Sequence, residues 1–261
     1  MTLVLNELIK LAPAPGILYR SDYLGEFITL SVIQEDGKRS EVKEWCENRI
    51  QNSNHNKIAC VLGNGLSRAD VNLKTLTNHK GGHLGKKKMQ VYGCNALYRD
   101  AQVDFLVCTN TELIDDLVRN YGYAPKNVVL TNTENIKRYR GRFHLYPFYE
   151  KLCAGALTLK LACFDGHKKI YIMGFDNIPE ASVVNNVYAG TLGYSDTNSN
   201  IDINKWISDT YKIMNTYTDV DFCMVMPKNK LIDIPKIYKQ LVNFRTLDWL
   251  DRKSTRLNSS H

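Results

Sequence analysis

Five apolar residues in a row, Ile58, Ala59, Cys60, Val61 and Leu62, carry no polar alternation and stop abruptly at Gly63-Asn64-Gly65. A strand patterned this way is buried on both faces, as in a parallel sheet covered by helices on each side. The pattern recurs downstream. Met89–Cys94 predicts a second strand ending at Asn95, Asp104–Cys108 a third ending at Thr109-Asn110, and Asn127–Leu130 a fourth. Lys168–Met173 predicts another, ending at Gly174 with Asp176 beyond it, and Val220–Met226 the last. Between them the spacing turns helical: Thr111–Tyr121 with Thr111 as cap, a buried helix over Lys151–Phe164, and Ile201–Tyr217 with Ile203, Trp206, Ile207, Tyr211 and Met214 on one side. A closing helix is predicted near Pro235–Val242. Strands alternating with helices predict an α/β fold: a single Rossmann-like domain, its mostly parallel sheet flanked by helices.

Residues 1–56 are patterned differently and predict a short N-terminal extension. A short helix over Leu3–Leu11 meets the breaker Pro13-Ala14-Pro15-Gly16, and Ile28–Ile33 reads as a strand before the turn Glu35-Asp36-Gly37. Ser40–Ile50 reads as a helix capped by Ser40, with Val42, Trp45, Cys46 and Ile50 on one face. The Rossmann-like domain is expected over residues 57–250. The segment Asp251–His261, DRKSTRLNSSH, resembles a translated sequencing adapter and is set apart as a non-native tail. The irregular stretch Asn177–Asn200 is long enough to read as a lid carrying Tyr188 and Tyr194.

Composition adds little beyond this frame. A length of 261 residues with 44% hydrophobic content suits one large domain with a sizeable core. The formal charge of +7, part of it from the tail, suits phosphate-bearing ligands without specifying one. The seven cysteines are odd in number, lie mostly in apolar runs and form no CxxC pair, so they read as small buried hydrophobes of a reducing compartment and not as zinc ligands. The first residues carry Glu7 and Lys10 where a signal peptide would be apolar, and no apolar run approaches the roughly 20 residues of a membrane span. The expectation is a cytoplasmic protein without a membrane span, its oligomeric state open.

The candidate chemistry lies at the strand ends. Asn64, Asn95 and Asn110 each follow a parallel strand, and the carboxyl ends of parallel strands share one rim, where open α/β sheets bind nucleotides. Asparagine both donates and accepts, as recognition of a base edge or ribose requires; each one alone is also an ordinary turn or cap residue. Gly63 and Gly65 let backbone approach a ligand closely or simply turn the chain, and Ser67 follows them. Gly155 at the start of the buried helix allows either a ligand or close packing. Asp176 would orient a sugar hydroxyl or cap a turn. In 137–149, Lys137, Arg138, Arg140 and Arg142 interleave with aromatics, which suits a basic lip, a solvated edge or, with no accompanying motif, nucleic acid. His79 and His83 flank Gly81-Gly82, which disfavours the helix that would pair them on a metal. No DxD-type pair follows a strand, so no metal is expected.

Taken in order, these motifs resemble the bacterial sialyltransferases of the Campylobacter type and related phage and bacterial proteins. The resemblance rests on Gly63-Asn64-Gly65-Leu66-Ser67, Cys94-Asn95, Asn110, and Phe143-His144 through Lys151 and Ala154-Gly155 to Ile170-Tyr171-Ile172-Met173-Gly174-Phe175-Asp176. It covers roughly residues 57–230. It implies a single-domain fold that binds a CMP-linked sugar donor without a required cofactor, with Asn64, Asn95, Asn110 and Gly155 lining the nucleotide site and the lid tyrosines near the phosphate. The family's lid histidine, its general base, corresponds here to Tyr194 in Gly193-Tyr194-Ser195, and its helix-start serine to Ala154. A tyrosine of ordinary pKa, about 10, is a poor base near neutrality.

The leading expectation is therefore a glycosyltransferase-like protein that moves a sugar from a nucleotide donor to an unknown acceptor. In it Lys151 and Tyr188 stabilise charge on the leaving phosphate, and His144, Asp176 or Tyr194 supplies the base. The first alternative is a nucleotide-binding or structural protein of phage origin that keeps the fold without transfer. The second is a SAM-dependent methyltransferase, whose glycine loop G-N-G-x-S loosely resembles, although its second strand would end in an acidic residue where Asn95 stands.

Overall fold

The computed structural model describes residues 17–18, 25–33, 38–47, 51–52, 58–78, 89–121, 128–139, 142–146, 152–176, 185–196, 202–227, 229 and 234–248. The predicted helix at 3–11, the histidine pair, Lys151 and the tail at 251–261 lie outside these residues. In chain order the strands are β1 (Ile17–Leu18), β2 (Gly25–Ile33), β3 (Arg39–Glu47), β4 (Gln51–Asn52), β5 (Ile58–Leu62), β6 (Met89–Cys94), β7 (Phe105–Val107), β8 (Val128–Thr131), β9 (His144–Leu145), β10 (Lys169–Met173), β11 (Asp221–Met226) and β12 (Phe244–Asp248). The α-helices are α1 (Leu73–Asn78), α2 (Thr111–Asp116), α3 (Thr133–Arg138), α4 (Ala154–Phe164) and α5 (Ile203–Thr216).

Eight strands form one sheet in the order β12-β11-β10-β5-β6-β7-β8-β9, and every neighbouring pair is parallel. With helices on its faces this is a single α/β Rossmann-like domain. The central strand explains the missing alternation: Ala59 and Val61 enter one buried cluster with Leu157, Leu159 and Ala162 of α4, while Cys60 and Leu62 enter a second cluster with Leu97, Leu113 and Ile114 on the other face. From β5 the chain builds outward to β9, returns through α4, and resumes at β10 on the opposite flank of β5. That reversal puts a topological switch point between β5 and β10, outside whose carboxyl ends such sheets form their ligand crevice.

Two expectations fail locally. The helix read over Ser40–Ile50 is instead β3, paired antiparallel with β2 from Ile33↔Arg39 to Gly25↔Glu47, so nine pairs of cross-strand partners override a helical spacing of apolar residues. The closing helix near Pro235–Val242 shrinks to a single 3-10 turn, Tyr238–Gln240, after which β12 adds to β11; full burial of Tyr238 holds that turn on the core. The described part of the basic-aromatic run contains the end of α3 and the edge strand β9 and fits the solvated-edge reading: Arg138 and Arg142 are exposed, Arg138 pairing with Asp115 at 2.6 Å, while the Tyr139 hydroxyl donates to the same carboxylate and Phe143 is buried.

The glycines at the switch point are required by the protein itself. The Gly63 N–H donates to Met173 O at 2.8 Å and the Gly65 N–H to Gly174 O at 2.9 Å, so the two strand-end loops continue the ladder. A Cβ on Gly63 would stand 2.3 Å from Gly174 O, and Gly174 itself sits at φ +71 with Gly63 O 2.8 Å from its missing Cβ. Gly155 is different: in α4 its Cβ would meet only the Phe175 ring, at 3.5 Å. Gly63→Ala should therefore fail to fold or lose about 3 kcal/mol. Gly155→Ala should gain about 0.5–1 kcal/mol of helix propensity. Urea midpoints of the two variants against wild type check both; an unharmed Gly63→Ala would show that the two loops are not tightly apposed.

Candidate functional site

A crevice of about 140 Å³, open to solvent on one side, lies over the switch point. Its floor is Gly63, Asn64 and Gly65 after β5, Cys94 and Asn95 after β6, and Gly174, Phe175 and Asp176 after β10. Cys153, Ala154 and Gly155 at the start of α4 form one wall, Trp206 and Thr210 of α5 another, and Asn185, Asn186 and Tyr194 cover it. An empty apolar cavity of about 150 Å³ holds one benzene ring. The crevice is thus large enough to enclose at least one ring, and its open side lets a larger group extend out of it.

The residues expected at the site divide sharply. Asn64 is buried and fully engaged: its Nδ2 donates to the Tyr194 hydroxyl at 2.9 Å and to Cys94 O at 3.4 Å, and its Oδ1 accepts from Arg68 Nη2. Ser67 faces the protein, where both its N–H and its hydroxyl donate to the buried Asp176 carboxylate. Asp176 therefore caps the turn that begins at Leu66, and it occupies the space that a Gly65 side chain would need. Asn110 is the N-cap of α2, its Oδ1 accepting from Glu112 N at 2.9 Å and Leu113 N at 3.3 Å, and it is not among the lining residues. Asn132 does the same for α3.

Asn95 stands apart. It has φ 47, the one positive φ outside glycine among the described residues, a conformation that asparagine tolerates better than other side chains. Its Oδ1 accepts from Thr109 N at 3.3 Å, and its Nδ2 has no partner among the described residues.

The covering segment Asn185–Asp196 is latched from three sides. Val187 N donates to Asn64 O at 2.8 Å, and Leu66 N donates to Asn185 Oδ1 at 2.9 Å. Tyr188 is buried away from the crevice, its hydroxyl donating to Asp100 at 2.6 Å and accepting from Arg68 at 3.0 Å. Arg99, ion-paired with Asp116 at 3.0 Å, donates to Thr191 Oγ1 and Leu192 O. Burial raises the Tyr188 and Tyr194 hydroxyls above the ordinary tyrosine value. Tyr194 is thus protonated near neutrality, a donor rather than a base, and its oxygen is already held by Asn64 and by the Ala96 backbone N–H.

The other reactive groups are equally quiet. Burial pushes the Cys94 thiol up to about 12 and also raises Cys153. Among the described residues no three His, Cys, Asp or Glu side chains gather as metal ligands, and no helix is long and apolar enough to cross a membrane. Phe175, Asn185, Asn186, Trp206 and Thr210 were not anticipated; of these only the pair Asn185-Asn186, inside the expected lid, left a readable signal.

His144 lies on edge strand β9, outside the crevice lining, where desolvation pushes its pKa down to about 4. Its unfolded value is about 6.5, so between these values the unfolded chain binds more protons and stability rises with pH. His144→Gln should flatten the loss of stability on acidification from pH 6.5 to 4, a slope of at most about 1.4 kcal/mol per pH unit. Urea unfolding across that window reads it out; identical slopes in variant and wild type would mean that His144 is solvated. Compared with known proteins, the chain matches no family model, no curated protein and no solved structure.

Proposed function

We propose that the chain is a glycosyltransferase-like protein that binds a nucleotide-activated sugar, CMP-linked, in the switch-point crevice. The observation that carries this reading is Asn95: a left-handed asparagine at the carboxyl end of the strand beside β5, lining the crevice with its amide N–H₂ unengaged among the described residues. Strained backbone is retained where the surrounding structure over-determines it, and such positions cluster at ligand sites. Trp206 and Phe175 add aromatic surface for a base or sugar ring.

One observation favours a second reading, nucleotide binding without transfer. The residue at the expected base position, Tyr194, is held protonated and hydrogen-bonded inside the protein. A direct assay separates the two: release of CMP from a CMP-sugar, with and without added glycan acceptors, supports transfer, and binding with no release supports the second.

Binding itself is tested by thermal shift of the chain against CMP, UMP, GMP, AMP and S-adenosylmethionine. A ligand at about 100 times its Kd stabilises the folded state by roughly 2.7 kcal/mol. CMP should give the largest shift. Asn95→Gly should keep near-wild-type stability, because relief of the left-handed backbone offsets one lost hydrogen bond of about 1 kcal/mol, while losing the CMP response. A response confined to S-adenosylmethionine would move the chain to the methyltransferases, and silence across the panel would overturn the nucleotide reading.

A further inference from the structure

The crevice has a chemical bias that its position alone does not dictate. Three lining asparagines, Asn95, Asn185 and Asn186, share one arrangement: each Oδ1 accepts from a backbone N–H, of Thr109 at 3.3 Å, Leu66 at 2.9 Å and Tyr188 at 2.9 Å respectively. Because a backbone N–H can only donate, each amide is oriented with its oxygen inward on the protein. Each Nδ2 is left without a partner among the described residues, so the three contribute neutral N–H₂ donors to one crevice.

The charges point the same way. No Lys, Arg or His is among the described lining residues, whereas Asp176 is. The start of α4, which could otherwise offer amides to an anion, has three of its N–H groups in use. Cys153 N donates to the buried Asp209 carboxylate at 3.4 Å, and the Cys153 sulfur accepts from Ala156 N at 3.5 Å and from the Gly155 backbone N–H. Asp209 is itself ion-paired with Lys205. The Arg68 guanidinium is bound by Gly63 O, Asn64, Tyr188 and Asp100.

We infer that the crevice receives the uncharged, acceptor-rich ring end of its ligand, the nucleoside, and that the phosphate stays outside it. This rests on the nucleotide reading proposed above and adds which part of the molecule is recognised. Ring carbonyls, ring nitrogens and ribose oxygens are the acceptors that three amide donors can satisfy, and Asp176 is placed to take a hydroxyl or amino proton.

The test is calorimetric titration of the full chain with cytidine, CMP and inorganic phosphate, at low and high salt. Cytidine should bind within about threefold of CMP, phosphate should not bind, and salt should change the cytidine Kd less than twofold, since no ion pair is formed. Asn186→Asp keeps an oxygen that accepts from Tyr188 N and replaces the N–H₂ donor with an anionic acceptor, which repels the ligand's acceptor atoms; it should weaken cytidine at least tenfold at unchanged thermal midpoint. Asn185→Asp repeats the experiment at a second site should the first variant unfold. CMP binding tenfold or more tighter than cytidine, salt-sensitive affinity, or wild-type cytidine binding in both variants would overturn this inference and leave the nucleotide site standing. Failure of cytidine and CMP alike would overturn the nucleotide reading and this inference together.

Discussion

Two glycine-bearing loops touching backbone to backbone are the constraint on which the rest of the crevice depends. The bonds from Gly63 N to Met173 O and from Gly65 N to Gly174 O carry the β5–β10 ladder past the ends of both strands. At a switch point the chain leaving one strand and the chain leaving its neighbour turn to opposite faces, which ordinarily opens the gap between them. Here the gap is zipped at its base, because neither Gly63 nor Gly174 carries a side chain to hold the loops apart. The zip delivers Asp176 to Ser67 and forms the floor of a crevice that Asn95 and the start of α4 also line.

The covering segment is a second consequence of the same contact. With the loop after β5 fixed, Asn64 offers its carbonyl to Val187 and its amide to Tyr194, and Arg68 reaches back to Gly63 O while bracing Tyr188. A guanidinium buried to 3% exposure would be costly if left unpaired, so its neighbours are a condition of folding. Arg68 therefore links the floor of the crevice to its cover through one rigid group. A ligand that displaced the cover would have to break these bonds together, whereas one entering by the open side would leave them intact.

Most of the sheet was legible because burial on both faces erases alternation, and that signal is strong in β5, β6, β7, β8, β10 and β11. The hairpin β2–β3 was half legible: Ile28–Ile33 reads as a strand, but Ser40–Ile50 shows helical spacing that only its cross-strand partners overrule. Strand β9, two residues long, and β12, patterned with exposed positions, carry too little apolar signal to announce themselves. At the site, the strand-end asparagines all fall at the carboxyl ends of parallel strands, yet the run cannot say which of them cap helices. Trp206 and Thr210 reach the crevice only because α5 packs beside α4, a tertiary fact with no local signature.

The asparagines show how one residue type serves two ends at the same rim. Asn110 and Asn132 have φ −79 and −84, and in that extended conformation each side chain folds forward onto the amides of its own helix. Asn95 has φ 47, so the chain turns away beneath its side chain, which reaches sideways to Thr109 N on the neighbouring strand's exit. The Thr109 peptide is in turn held at its carbonyl by Asn132 Nδ2 and Asn135 Nδ2, which ties the capped helix α3 to the crevice. A cap spends the side-chain oxygen on its own helix and is complete. A left-handed asparagine spends the oxygen across the sheet and keeps its two N–H donors at the crevice. Backbone conformation, more than residue identity, therefore separates the asparagines that cap helices at this rim from Asn95, and a conformation of this kind is set by the packing of strand ends that a linear reading of the chain does not contain.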